Sequence, residues 1–136
     1  MNAKNLVGML FKLQSLIAGG SLELTVGGNS GTITKDELIL NISNPEEVLR
    51  LAKALREGME SDITKGMKSI PDALKLLAEV GEELSRERKT LTVKYLGRDV
   101  VIVGFNAKPG IFGMNNVEIR DKVELMKLLS ALLAAL

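Results

Sequence analysis

Residues 90–105 read Thr-Leu-Thr-Val-Lys-Tyr-Leu-Gly-Arg-Asp-Val-Val-Ile-Val-Gly-Phe and carry the clearest β-strand pattern in the chain. In the first half of this stretch, Leu91, Val93 and Tyr95 alternate with polar residues. A period of two places these three side chains on one face of a strand and the polar ones on the other. β-Branched and aromatic residues suit such a pleated, half-buried surface. We therefore predict a strand over the first half.

The second half of the stretch predicts a hairpin. Gly97 and Arg98 stand between two apolar runs, and a glycine at the first central position fits a type II′ turn. The returning run, residues 100–103, is apolar on both faces, which is typical of a strand covered on both sides. We therefore place residues 100–105 at the centre of the sheet, with helices below and either helices or a partner chain above.

Helix and strand patterns alternate along the rest of the chain. Further strands are predicted at residues 21–26, 32–34, 38–42 and 117–119. Helices are predicted at residues 2–18, and from Asn44, Ser69 and Asp121, whose side chains can each cap a helix. This order of elements predicts an α+β fold, with a mostly antiparallel sheet of five or six strands and helices packed on one face.

The length of 136 residues predicts a single domain, and an internal match suggests two repeats within it. A shift of 77 positions places Leu40 on Val117 and the capping residue Asn44 on Asp121. One interpretation is a duplicated α-β-β-α unit, with repeats at 1–58 and 69–136 and a connector at 59–68. The other is that any two amphipathic helices after strands align this way, because their period of 3.6 produces much of the match.

The composition excludes several kinds of function. The chain has 18 basic and 17 acidic residues and only 3% aromatic residues, so it lacks the charge and the stacking surfaces expected of a nucleic-acid-binding protein. It has no Cys and no His, which removes thiol nucleophiles, imidazole acid–base catalysis and ordinary zinc sites. We predict no metal, no cofactor and no identifiable catalytic residue.

The sequence also bears on location and origin. The uncharged C-terminal stretch is too short to span a bilayer, and Lys12 interrupts the N-terminal apolar run that a signal peptide would need. We therefore predict no transmembrane segment and a cytoplasmic location. The absence of Cys and the single Gln favour a heat-adapted origin, against which the eight Asn residues count.

Two regions are candidate interaction sites. The loop at residues 106–116 contains four candidates, and the charge-free end of the C-terminal helix contains four more. The candidates in the loop are Lys108, Ile111, Phe112 and Met114, and those in the helix are Leu129, Leu132, Leu133 and Leu136. Apolar loop residues need a partner or must fold back, so Phe112 either packs into its own core or contacts a partner chain or an apolar pocket.

Three functions follow from these features. The first is a non-enzymatic interaction module that forms a homo-oligomer through its apolar helix and sheet surfaces. The second is a carrier of a small apolar or lipid-like ligand, because Leu- and Met-rich helices over a sheet can leave an apolar cavity. The third is an enzyme that uses Ser, Thr, Lys or carboxylate groups, although no spacing singles out a catalytic pair. The first is the function that the sequence favours.

Overall fold

The structure is a computed structural model that describes residues 22–28, 36–54, 56, 66–109 and 113–136. Its elements are β1 (Leu22–Gly28), β2 (Asp36–Ile42), α1 (Glu46–Ala54), α2 (Ile70–Arg86), β3 (Lys89–Tyr95), β4 (Arg98–Gly104), β5 (Val117–Ile119) and α3 (Lys122–Ala135). The predicted α+β class is confirmed. The predicted helix at 2–18, the strand at 32–34 and residues 59–65 of the connector lie outside the described residues.

The sheet is mixed. Its strands lie in the order β1-β2-β3-β4-β5. Strand β2 pairs with β3 in parallel, and the other three pairings are antiparallel. The prediction that residues 100–105 hold the centre of the sheet is wrong, since β3 holds the middle place and β4 lies next to it. The error arose because the parallel partner of β3 lies far away in the sequence and leaves no local signal.

The turn between β3 and β4 is of type I′. Tyr95 pairs with Arg98, so Leu96 and Gly97 are the two central residues of the turn. Both have positive φ, 52° for Leu96 and 78° for Gly97, as a type I′ turn requires. The predicted type II′ turn at Gly97 and Arg98 is therefore wrong by one residue. Its glycine occupies the second central position, and a leucine occupies the strained first one.

One face of the sheet is apolar and lies under the helices. The strand register places on this face Leu40, Ile42, Leu91, Val93, Val101, Val103, Val117 and Ile119. These side chains are buried or half-buried and form one core with residues of α1, α2 and α3. The register places Thr90 and Thr92 on the opposite face, where both are nevertheless buried.

Each described helix begins at the predicted capping residue. Asn44 Oδ1 accepts a hydrogen bond of 2.9 Å from Glu46 N at the start of α1. Ser69 Oγ accepts one of 3.3 Å from a main-chain N–H in the first turn of α2, and Asp121 Oδ1 accepts one of 3.1 Å in α3. These bonds satisfy main-chain donors that have no partner inside the helix, which fixes where each helix starts.

Helices α1 and α3 run side by side in the same direction. Strands β2 and β5 are both parallel to β3, so they end at the same edge of the sheet, and α1 and α3 begin there. Near their far ends, Arg56, which lies two residues beyond α1, donates a 3.4 Å hydrogen bond from Nη1 to the carbonyl oxygen of Ala135 in α3. This parallel pair, together with α2, covers the apolar face of the sheet.

Candidate functional site

An apolar cavity of about 120 Å³ lies between the sheet and the three helices. It is lined by Leu40, Ile42, Val93 and Val101 of the sheet, Val48 and Leu51 of α1, Leu77 of α2, and Leu125, Leu128, Leu129 and Leu132 of α3. Every one of these side chains is a hydrocarbon. A cavity with such a lining offers no hydrogen bond to water, so it stays dry and accepts an apolar guest.

The spacing of apolar residues creates this lining. The α3 leucines stand at positions i, i+3, i+4 and i+7, which places them along one side of the helix. On the sheet, successive side chains point to opposite faces, so lining residues two positions apart lie on the same side. The register of β3 against β4 shifts between Val93 and Lys94, and such a bulge bends the strand beside the cavity wall.

The cavity is only partly enclosed by buried side chains. Its floor and inner wall are buried, as the exposed fractions of 1% for Val101 and 3% for Leu125 show. Four lining side chains are only half-buried: Val93 on the sheet, Leu77 on α2, and Leu128 and Leu132 on α3. We refer to the three leucines as the mouth of the cavity, because they are the helix residues of its lining that are not fully buried.

The structure places the four candidate leucines of α3 toward the interior. Leu129 is 8% exposed and Leu132 lines the mouth of the cavity. Leu133 and Leu136 are half-buried and pack against the core. The sequence indicated these residues as an oligomer surface, but two of the four belong to the wall of an internal cavity.

The described residues of the candidate loop do not line the cavity. Lys108 is exposed, and its main-chain N–H donates a 3.1 Å hydrogen bond to Glu118 Oε1. Met114 is half-buried and packs against the core without lining the cavity. Ile111 and Phe112 lie outside the described residues. Lys108 and Met114, the two described loop candidates, do not line the cavity that Leu129 and Leu132 line.

A cluster of ion pairs lies near this loop. Arg120 Nε donates a 2.6 Å hydrogen bond to Glu118 Oε2, and Arg120 also lies 3.7 Å from Asp99. The bond from Arg120, followed by the one from the Lys108 main chain, lowers the pKa of Glu118 below its ordinary value. The same contact with Glu118 raises the pKa of Arg120. Glu118 alternates with Val117 and Ile119, so this cluster lies on the face opposite the cavity.

Glu47 is a buried acid that the sequence did not single out. It is fully buried, and its Oε2 accepts a 2.8 Å hydrogen bond from Ser43 N. Its other carboxylate oxygen, Oε1, has no hydrogen-bond partner. The sequence indicated only that an acid in the first turn of α1 would complement the helix dipole, which explains its position but not its burial. Glu47 does not line the cavity, and no group of three acidic side chains in the described part of the chain could hold a metal ion.

The chain is similar to a protein of Methanocaldococcus jannaschii named Uncharacterized protein MJ1540. The two are 35% identical over 126 residues, which cover 89% of this chain and 92% of the relative. No protein-family profile matches the chain, and no solved structure does. The relative comes from a thermophilic archaeon, in agreement with the heat-adapted origin that the composition favours. None of the described helices is long and apolar enough to cross a membrane.

Proposed function

The chain belongs to the same family as Uncharacterized protein MJ1540, and we propose that it binds a small apolar ligand in the cavity beneath α1, α2 and α3. The observation that supports this proposal is the all-hydrocarbon lining together with the half-buried mouth. The volume of about 120 Å³ is slightly below the roughly 150 Å³ of an engineered protein cavity that takes up benzene. The guest is therefore a ring or a short chain, or one end of a longer molecule.

The energetic cost of an empty cavity also supports a guest. At about 24 cal/mol per Å³, a void of about 120 Å³ lowers the free energy of unfolding by roughly 3 kcal/mol. That loss is a large fraction of the roughly 5–15 kcal/mol that stabilises a typical domain. A ligand that fills the space restores contacts that the lining side chains otherwise lack.

A titration with benzene tests the proposal. The methyl resonances of the protein are followed by NMR while benzene is added. We expect saturable shifts confined to the lining leucines, valines and isoleucine. The matched control is Leu128→Phe, which places a ring in the mouth of the cavity and should abolish these shifts while the protein remains folded. Shifts that never saturate, or that are equal in the variant, would exclude this cavity as a binding site.

A homo-oligomer is the second candidate function. Leu49 and Val123 are 60% and 63% exposed, and each lies in the first turn of one of the two parallel helices α1 and α3. A contiguous apolar patch on neighbouring helices would be typical of a contact with another chain, and these two residues are the candidates for such a patch. We expect Leu49→Glu to reduce the mass measured by sedimentation equilibrium if this surface joins two copies. If the original protein itself sediments with the mass of a monomer, this candidate is excluded.

A duplicated unit remains a proposal about the history of the fold. The shift of 77 carries β1 onto residues 99–105, nearly the span of β4, and it carries α1 onto residues 123–131 of α3. Both helices follow a strand that pairs antiparallel with the strand before it. A duplication predicts that, in each relative, the same shift aligns residues of the first half with similar residues of the second half, in strands as well as helices. A match limited to the apolar positions of the helices would contradict it.

A further inference from the structure

We propose that copies of this chain associate head to tail, with α1 of one copy packed in parallel against α2 of the next. This inference rests on the second candidate function, the homo-oligomer, and names the two surfaces that meet. Three observations support it: complementary charges on α1 and α2, the lack of partners for these charges within the chain, and the common direction of the two helices.

The exposed charges of α1 and α2 are complementary at identical spacing. An offset of 29 positions relates three charged residues of α1 to three residues of opposite charge on α2. The pairs are Glu46 with Lys75, Arg50 with Glu79, and Lys53 with Glu82. In both helices the intervals are four and three residues, so each set follows one side of its helix over about 10 Å. Two parallel helices can therefore place all three pairs side by side.

None of these six charged side chains has an ion-pair partner within the part of the chain that the structure describes. All six residues are exposed. Glu46 and Arg50 have the i,i+4 spacing of a helical ion pair, yet they do not form one. By contrast, Glu83 and Arg86 on α2 do pair, at 3.2 Å. The six charges therefore remain available to another copy.

Helices α1 and α2 point in the same direction within one copy. Helix α1 leaves the end of β2, whereas α2 leads into the start of β3 through only Glu87 and Arg88. Since β2 and β3 are parallel and both helices cover the same face of the sheet, both helices run back along these strands. A second copy that is displaced sideways without rotation therefore presents its α2 parallel to α1, as the charge pairs require.

The charged surfaces of α1 and α2 do not meet within one copy. The described residues of the two helices share few contacts with each other, and α3 packs against both. The complementary charges can therefore pair only between copies. Such a contact joins two different surfaces, so association continues into an open series of copies or closes into a ring.

An exposed apolar side chain lies within the charged surface of α1. Leu49 is 60% exposed and stands between Glu46 and Arg50 in the sequence. The same offset of 29 places it opposite Ala78, a small residue of α2. Burial of Leu49 against Ala78 gives the contact an apolar part, while the charge pairs fix its register and disfavour other alignments.

Charge exchange tests this arrangement. Variant A carries Arg50→Glu and Lys53→Glu, and variant B carries Glu79→Lys and Glu82→Lys. Sedimentation equilibrium at about 50 mM salt, where surface charges are weakly screened, measures the mass of each variant and of an equal mixture. Each variant alone should associate at least about tenfold more weakly than the original protein, because like charges then meet. The mixture should recover the association, since α1 of each variant matches α2 of the other.

The matched control is Lys94→Glu with Lys108→Glu. It changes the net charge as much as variant A does, but at two positions outside the helices. Lys94 alternates with Val93 and therefore lies on the face of the sheet opposite the helices, and Lys108 lies in the loop after β4. This control should associate like the original protein.

Three results would overturn the inference. Association of variant A or variant B alone that equals that of the original protein would show that α1 and α2 do not meet, and it would leave a homo-oligomer through another surface. Failure of the mixture to associate would likewise exclude pairing of α1 with α2. An original protein that is monomeric at every concentration would overturn the homo-oligomer itself.

Discussion

Replacement of Gly104 by alanine should destabilise the protein far more than the same change at Gly97. Both glycines have positive φ, 120° at Gly104 and 78° at Gly97. A Cβ at Gly97 meets nothing within 4 Å, whereas one at Gly104 would fall against the main-chain oxygen of Lys89 and lie 3.1 Å from Leu84 Cβ. Strand β4 therefore approaches the start of β3 at Gly104 more closely than a side chain allows.

The two substitutions differ in magnitude for this reason. Gly97→Ala adds only the cost of the left-handed conformation, about 1–2 kcal/mol, part of which is offset by the reduced entropy of the unfolded chain. Gly104→Ala adds a conformational cost of about 1–3 kcal/mol and an overpacking cost of about 1–3 kcal/mol. We therefore expect a loss of about 1 kcal/mol for Gly97→Ala and of about 4 kcal/mol for Gly104→Ala.

Urea denaturation followed by circular dichroism measures both values. With a slope of about 2 kcal/mol per molar urea, the midpoint should fall by roughly 0.5 M in Gly97→Ala and by roughly 2 M in Gly104→Ala. Gly97→Ala serves as the control for the effect of positive φ alone. Equal midpoints in the two variants would refute the close approach at Gly104.

Three further substitutions test the turn, a helix cap and an ion pair. Leu96→Asn should raise the melting temperature by roughly 4 °C, because asparagine tolerates the left-handed conformation that costs leucine about 1 kcal/mol; an unchanged melting temperature would contradict the strained turn. Asp121→Ala should lower the free energy of unfolding by about 1 kcal/mol through loss of the α3 cap. Asp121→Asn can still accept the hydrogen bond and should therefore lose less. Equal losses in the two variants would argue against capping. The contact with Arg120 lowers the pKa of Glu118 in the folded state, so its stabilising effect is full above the ordinary pKa of about 4.3 and is lost as the pH falls through the lowered value. As the pH falls below about 5, the free energy of unfolding of Glu118→Gln should therefore decrease less than that of the original protein. Equal decreases in the two proteins would contradict this.

Local patterns in the sequence predicted the local elements of the fold. The alternation of Leu91, Val93 and Tyr95 predicted β3, and the capping residues Asn44 and Asp121 predicted the starts of α1 and α3. These signals succeed because strand period and helix capping depend on residues that are close in the sequence. The turn after β3 was displaced by one residue because a glycine can occupy either central position of a hairpin turn.

Features that depend on distant residues were not predicted. The parallel pairing of β2 with β3 joins strands between which α1 and α2 lie in the sequence, and no local pattern encodes it. The cavity results from the way side chains of three helices and the sheet fill space, which composition does not determine. Leu132 illustrates the limit, since its apolar character was evident but the sequence did not reveal whether it faces a partner or a cavity. Val123 shows the reverse, because its apolar character did not reveal that 63% of its side chain is exposed.

Native mass spectrometry of freshly purified protein tests the proposed ligand site most directly. We predict that the chain of 14.7 kDa carries additional mass from a bound small molecule, and that this mass is missing from Leu128→Phe purified in the same way. A chain without added mass, in both the original protein and the variant, would contradict the claim that the cavity holds a ligand.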